Sequence, residues 1–164
     1  HYEDDLGKWA APFIMATINT KNVHRTNFLL GHPYGKDFRY DEMMLTSPGD
    51  AGKAAANAVV DMLKNPFGAK PPKPGEGPSK EERENGHYDV VFIGEWPDGQ
   101  RLHYGVKGRY DPGYGSTSRM LAETGIALLT SDAKGGVGTP GAFLGEALVE
   151  RLREHAALTF AVEE

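Results

Sequence analysis

The fold class turns on Val106-Lys107-Gly108-Arg109-Tyr110-Asp111-Pro112-Gly113-Tyr114-Gly115-Ser116-Thr117-Ser118-Arg119-Met120-Leu121-Ala122-Glu123-Thr124-Gly125-Ile126-Ala127-Leu128-Leu129. It reads as the end of a strand, a tight polar turn and a helix. Beyond Arg119 the helix carries a single charged residue, Glu123, so it is expected to be a central packing element. Asp111 is expected as its N-cap and Pro112 at its first position, where a missing N–H costs nothing. Gly113 and Gly115 are expected to let another group approach the backbone closely.

Upstream lies a hairpin. Residues 88–96 and 100–109 read as strands joined by Pro97-Asp98-Gly99, with Gly99 free to take the positive φ of a short hairpin loop. Val90-Val91-Phe92-Ile93 is apolar on both faces, which predicts an interior first strand and a second strand near an edge. Leu102, Tyr104 and Val106 share one face of that second strand; Arg101, His103, Lys107 and Arg109 share the other. Downstream, a Gly-rich run at residues 135–141 opens a helix over residues 140–155. A short strand closes the chain over residues 158–162, alternating at Leu158, Phe160 and Val162.

The first part of the chain is read in the same way. Phe13, Ala16, Val23 and Leu30 fall on one helical face, predicting a helix over residues 9–30 with Pro12 in its first turn. Phe38 and Tyr40 alternate with polar neighbours, predicting a strand over residues 37–45. Ser47-Pro48 then opens a helix whose Ala51, Ala54, Ala55, Ala58, Val59, Met62 and Leu63 follow helical spacing until Asn65-Pro66. Residues 65–86 form a long Pro/Gly-rich loop, expected to wrap the surface or cover a site. Within it Ser79-Lys80-Glu81-Glu82 has capping-box spacing for one short helix.

Composition bounds the rest. With 164 residues and 39% hydrophobic content, the chain suits one domain, residues 1–164. A net charge of −5 argues against nucleic acid as a partner. No cysteine is present, which removes disulfides, thiolate metal sites and cysteine nucleophiles. No apolar run approaches the roughly 20 residues of a spanning helix. The expected location is cytoplasmic, with peripheral association at a membrane left open. The chain opens at His1 without an initiator methionine, which leads to the expectation of a fragment of a longer protein.

The candidate chemistry is sparse. Gly136-Val137-Gly138-Thr139-Pro140-Gly141 matches Gly-x-Gly-x-x-Gly, but a helix and a polar turn precede it where a dinucleotide fingerprint needs a buried strand. It is read as a helix-entry loop. The basic stripe of Arg101, His103, Lys107 and Arg109 is either an anion-receiving face or the solvated side of a sheet. The six histidines lack metal-binding spacing, so no metal is expected. No Gly-x-Ser-x-Gly elbow exists. Tyr110 and Tyr114 flank the Asp111 turn and could donate a proton to a carbonyl or enolate.

Four stretches taken together carry a resemblance: Trp9-Ala10-Ala11-Pro12-Phe13-Ile14-Met15-Ala16-Thr17-Ile18-Asn19-Thr20, Lys73-Pro74-Gly75-Glu76-Gly77-Pro78-Ser79, Arg109-Tyr110-Asp111-Pro112-Gly113-Tyr114-Gly115-Ser116-Thr117 and Gly135-Gly136-Val137-Gly138-Thr139-Pro140. In this order they resemble the C-terminal half of saccharopine dehydrogenase-like oxidoreductases, nearest the branch that includes the trans-acting enoyl reductases of mycobacterial lipid synthesis. The resemblance implies an α+β domain with a largely antiparallel mixed sheet covered by helices, on the substrate and assembly side of the enzyme. It further implies an upstream Rossmann domain that holds NAD or NADP, no cofactor in this chain, and a homodimer. The chemistry implied is hydride transfer to or from a carbon–nitrogen, carbon–oxygen or conjugated carbon–carbon bond of an acyl or lipid-like substrate. Asn19, Arg39, Tyr40 and Tyr114, polar groups within otherwise apolar elements, are the candidates to face a cleft toward the cofactor domain. No catalytic residue is assigned. The alternative is a self-contained, non-catalytic domain that binds an apolar ligand or a protein partner.

Overall fold

A computed structural model describes residues 1–64, 73 and 75–163. Where the sequence suggests one domain, backbone contacts group these residues into two compact units, His1–Pro74 and Gly75–Glu164. Part of the Pro/Gly-rich loop, residues 65–72 and 74, lies outside the described residues, as does the Asn65-Pro66 helix stop. The class is α+β. Among the described residues all strand pairs are antiparallel, in two three-stranded sheets accompanied by helices.

The first unit contains β1 (Tyr2–Glu3), β2 (Lys8–Pro12), α1 (Ala16–Leu29), β3 (Met43–Leu45) and α2 (Gly49–Lys64). Its sheet has the order β1-β2-β3, with Ala10 opposite Leu45 and Ala11 opposite Met44. Ala10 and Ala11 are buried on β2, and Ala56 is buried on α2, which packs against β2. Small side chains on both elements allow that close approach. Two expectations are corrected here. The helix read over residues 9–30 starts only at Ala16, because the Ala10 and Ala11 backbone pairs with β3 and Pro12 ends a strand. The strand read over residues 37–45 shrinks to Met43–Leu45. Phe38 instead joins an aromatic cluster, 5.6 Å from the His24 ring, 5.2 Å from Tyr34 and 6.3 Å from Tyr40. Side-chain stacking takes the place of ladder pairing in that segment.

The second unit contains α3 (Lys80–Asn85), β4 (His87–Glu95), β5 (Arg101–Arg109), α4 (Gly115–Leu129), α5 (Pro140–His155) and β6 (Leu158–Glu163). The Ser79 hydroxyl accepts from the Glu82 amide while the Glu82 carboxylate accepts from the Ser79 amide, so the expected capping box closes at α3. The β4–β5 hairpin pairs in full register from His87 opposite Arg109 to Glu95 opposite Arg101, and Gly99 in its loop has φ +84°. Thr139 caps α5 through the Ala142 amide. Gly145 interrupts α5 with φ +51° and ψ −132°, a conformation that side chains rarely adopt.

Two further readings are corrected in this unit. The sheet order is β4-β5-β6, so β5 is the central strand and the doubly apolar β4 lies at the edge. The helix α4 is not enveloped by core. Only Gly115, Ser116 and Ala127 are buried, while Leu121 and Leu129 are 72% and 87% exposed. One stripe of α4 meets α5, where Ala127 packs with Leu144 and Leu148 and is flanked by Phe143 and Leu152. Beside them the Arg151 Nε and Glu123 Oε2 atoms lie 2.6 Å apart across the helix pair. That N–H is not aligned on the oxygen, so charge rather than a directed hydrogen bond joins them.

Candidate functional site

The chain leaves β5 through Tyr110, whose φ of +80° is unusual for a bulky residue. Asp111 follows, and its carboxylate organises the turn. Oδ1 accepts the Gly113 and Tyr114 amides at 3.1 and 3.0 Å, and Oδ2 accepts the Gly115 amide at 2.5 Å. The Tyr114 amide above all, then those of Gly115 and Gly113 and the nearby Arg83 charge, hold the Asp111 carboxyl below its ordinary value. The side chain therefore reaches ahead to two amides of the turn and to the first amide of α4, that of Gly115. The helix begins at Gly115, three residues beyond the expected Pro112, because Asp111 caps from a distance instead of from the adjacent position.

The glycines of this turn differ. A Cβ on Gly115 would lie 2.6 Å from Asp111 Oδ2 and 2.7 Å from the Arg83 carbonyl oxygen, too close for any side chain. Gly113 would meet only Asp111 Oδ1, at 3.2 Å. Gly86, which the sequence did not single out, is equally enclosed: its Cβ would lie 2.5 Å from the Asp111 nitrogen. The Asp111 amide in turn donates to the Arg83 carbonyl at 3.1 Å, tying the turn to α3. From α4, Arg119 donates to the Gly115 carbonyl at 2.6 Å and lays its guanidinium over the Tyr110 ring at 3.7 Å. The Tyr88 ring covers the Gly108 Cα from β4, and its hydroxyl lies 2.9 Å from the hydroxyl of fully buried Ser116. Tyr114 is 60% exposed at the edge of a groove beside this turn.

In the first unit a different carboxylate gathers partners. Glu42 Oε2 accepts from the Asn19 side-chain amide at 2.8 Å, and Oε1 accepts from the Tyr40 hydroxyl at 2.9 Å. Partial burial and then the Glu42 carboxylate push the Tyr40 phenol well above its ordinary value of 10.0. Tyr40 is thus a neutral phenol whose proton is directed at Glu42, leaving its oxygen able to accept. Of the four residues singled out from sequence, Asn19 and Tyr40 meet through Glu42. Arg39 is exposed nearby in sequence, and Tyr114 belongs to the second unit. Glu42 was missed, although its spacing two residues after Tyr40 is the i, i+2 signal of a shared face on an extended segment.

The remaining sequence candidates resolve simply. Along the basic stripe, Lys107 Nζ pairs with Asp89 at 3.5 Å and Glu163 at 3.1 Å, and Arg101 pairs with Glu95 at 2.8 Å. Cross-strand carboxylates thus face two of the four stripe residues, which fits a solvated sheet face. The Gly136 run does not fit a dinucleotide. Thr139 already satisfies the Ala142 amide, and a Cβ at Gly138 would strike the Phe143 ring at 2.5 Å, so the phosphate approach is filled. Among the described residues no group of three or more His, Asp or Glu side chains could hold a metal ion, and no helix is long and apolar enough to cross a membrane.

No family model and no solved structure matches the chain. Curated mycobacterial proteins do. A Mycobacterium tuberculosis protein provisionally named a trans-acting enoyl reductase is 38% identical over 89% of the chain, covering 39% of its own length. A trans-acting enoyl reductase of Mycobacterium ulcerans is 33% identical over 94% of the chain and 41% of its length. One from Mycobacterium bovis is 34% identical over 89% of the chain and 39% of its length. The chain is thus similar along most of its length to proteins named enoyl reductases, which supports an enoyl reductase-like family, and it spans about two fifths of the length of these relatives.

Proposed function

We propose that this chain is the substrate-side and assembly part of an NAD(P)-dependent enoyl reductase, and that the complete protein reduces the conjugated carbon–carbon double bond of an acyl or lipid-like substrate. The observation that carries this reading is the 38% identity over 89% of the chain to a relative named for that activity. Of the three bond types left open by the sequence, the relatives' name favours the conjugated carbon–carbon bond. A saccharopine dehydrogenase-like architecture, an upstream Rossmann domain within the relatives' additional length, a homodimer and a cytoplasmic setting belong to the same proposal.

The nicotinamide, when bound, supplies the hydride. The filled Gly138 approach supports assigning its binding to another part of the protein, and no step through it is assigned to residues of this chain. Asn19, Arg39, Tyr40 and Tyr114 are the substrate-side candidates. Glu42 joins them as the group that orients Asn19 and Tyr40.

The test uses the full-length protein that contains this chain, with NADPH or NADH and enoyl thioesters of short and long chain. Thioester-dependent loss of reduced-nicotinamide absorbance is expected. Nucleotide binding by the same protein is a second readout that does not depend on choosing the right acyl chain. A full-length protein that binds neither nucleotide overturns the reading. One observation favours the alternative of a non-catalytic binding domain: Val90, Phe92, Leu121 and Leu129 are all exposed in the second unit. A protein that binds fatty acyl chains but no nucleotide would establish it.

A further inference from the structure

We propose that the groove beside the Asp111 turn is a phosphate-binding site whose principal ligands are Arg83 and Arg119. The groove has a volume of about 670 Å³ and is lined by three cationic side chains, Lys80, Arg83 and Arg119, against two carboxylates, Glu76 and Glu84, with Tyr114 at its edge. Both guanidinium groups are held in place by backbone. Arg83 donates one N–H to the Pro78 carbonyl at 2.7 Å, and Arg119 donates one to the Gly115 carbonyl at 2.6 Å while its face rests on Tyr110. Each guanidinium carries five N–H donors, so most of each fork remains for a ligand.

These two arginines differ from others of the same unit. Arg101, Arg151 and Arg153 each face a carboxylate, at 2.8, 2.6 and 2.6 Å from Glu95, Glu123 and Glu150. Among the described residues neither Arg83 nor Arg119 forms such a pair. Lys80 adds a third positive group, only loosely matched by Glu84 at 3.8 Å. The first two amides of α4, those of Gly115 and Ser116, are already taken by the Asp111 carboxylate and carbonyl, so the site is argued from side chains and not from a helix end.

Planar forks fixed before binding lose little freedom when they engage an anion. Arg83 belongs to α3 and Arg119 to α4, so the groove is lined by guanidinium groups from two different elements. A tetrahedral phosphate can present separate oxygen pairs to both, whereas a carboxylate fills one fork. The ring of Tyr114, exposed at the groove edge, offers a surface for the body of the phosphorylated molecule. The site goes beyond the reductase reading and stands without it, because its test reads binding and not turnover.

Calorimetric titration of the chain with inorganic pyrophosphate, at fixed ionic strength, tests the site. Binding is expected, and Arg83→Gln and Arg119→Gln are each expected to weaken it roughly ten- to a hundred-fold. Arg101→Gln, which removes an equal charge from the hairpin, is expected to leave it unchanged. Should Arg119→Gln loosen the Tyr110 stack and unfold, Lys80→Gln on an exposed helix supplies the variant, with a several-fold loss expected. Absence of pyrophosphate binding overturns the proposal, as does equal weakening by Arg101→Gln or full competition by equimolar acetate.

Discussion

Asp111 and Glu42 are both carboxylates with two occupied oxygens, and they organise their surroundings in opposite ways. Asp111 accepts three backbone amides within four residues and fixes the path of the chain. Glu42 accepts two side chains, one from a helix 23 residues away, and fixes only where their polar ends lie. A backbone-bound carboxylate is part of the scaffold, since losing it leaves helix-opening amides without partners. A carboxylate bound by side chains can exchange partners when a ligand arrives, at the cost of one hydrogen bond at a time. The contrast marks the Asp111 turn as the rigid frame of its groove and Glu42 as the adjustable element of its cluster.

The largest expected effect tests the rigid half of this contrast. Gly115→Val places a branched side chain against Asp111 Oδ2 and the Arg83 carbonyl, and is expected to cost about 3 kcal/mol in urea unfolding. Stability equal to wild type would mean that the turn is free to relax. Asp111→Asn comes next. The Asp111 pKa is lowered in the folded state, so its contribution is present above the ordinary value of 3.8 and is lost as pH falls through the lowered one. Wild type is expected to lose stability along that acid limb, and the Asn variant to be weaker near neutrality with a flatter limb.

Glu42→Gln probes the adjustable half. The Tyr40 pKa is raised in the folded state, so its contribution is complete below 10.0 and declines as pH rises toward the raised folded value. In an ultraviolet phenolate titration, Tyr40 is expected to ionise well above its ordinary value. The Gln variant should bring it part of the way back, because burial remains. An unchanged titration would remove Glu42 as a cause. The smallest effect is expected for Arg101→Gln, whose exposed partner is Glu95: a change within about 0.5 kcal/mol, readable in the same urea experiment. A larger loss would show that the hairpin also depends on charge.

Local signals were legible in the sequence. Pro97-Asp98-Gly99 located the hairpin, Ser79 and Glu82 located α3, and the Gly-rich run around Pro140 marked the start of α5. Each depends on residues within a few positions of one another. What failed depends on distance. Trp9-Ala10-Ala11 was read as helix although Trp9 pairs with Tyr2, because the pairing of Ala10 and Ala11 with residues 45 and 44 lies more than thirty positions on. The apolar run on β4 was read as interior because composition on two faces does not tell an edge from a centre. For the site, Asn19 and Tyr40 stood out as polar groups in apolar surroundings, but the Glu42 that joins them did not. The bond between Tyr88 and Ser116 spans 28 positions and leaves no local trace.

The position of β4 at the sheet edge also governs how the chain behaves in concentrated solution. Its nine residues present an outer row of amides and carbonyls that pairs with no strand among the described residues, beside exposed Val90, Phe92 and Ile93. Such an edge templates pairing with another chain unless charge discourages it. Asp89 and Glu95, near its two ends, are both engaged by cross-strand partners, Lys107 and Arg101. Their negative charge is therefore largely compensated, and raising the salt concentration would weaken electrostatic protection further. Low protein concentration and a charged substitution at Phe92 are accordingly expected to limit edge-to-edge pairing of this sheet during purification.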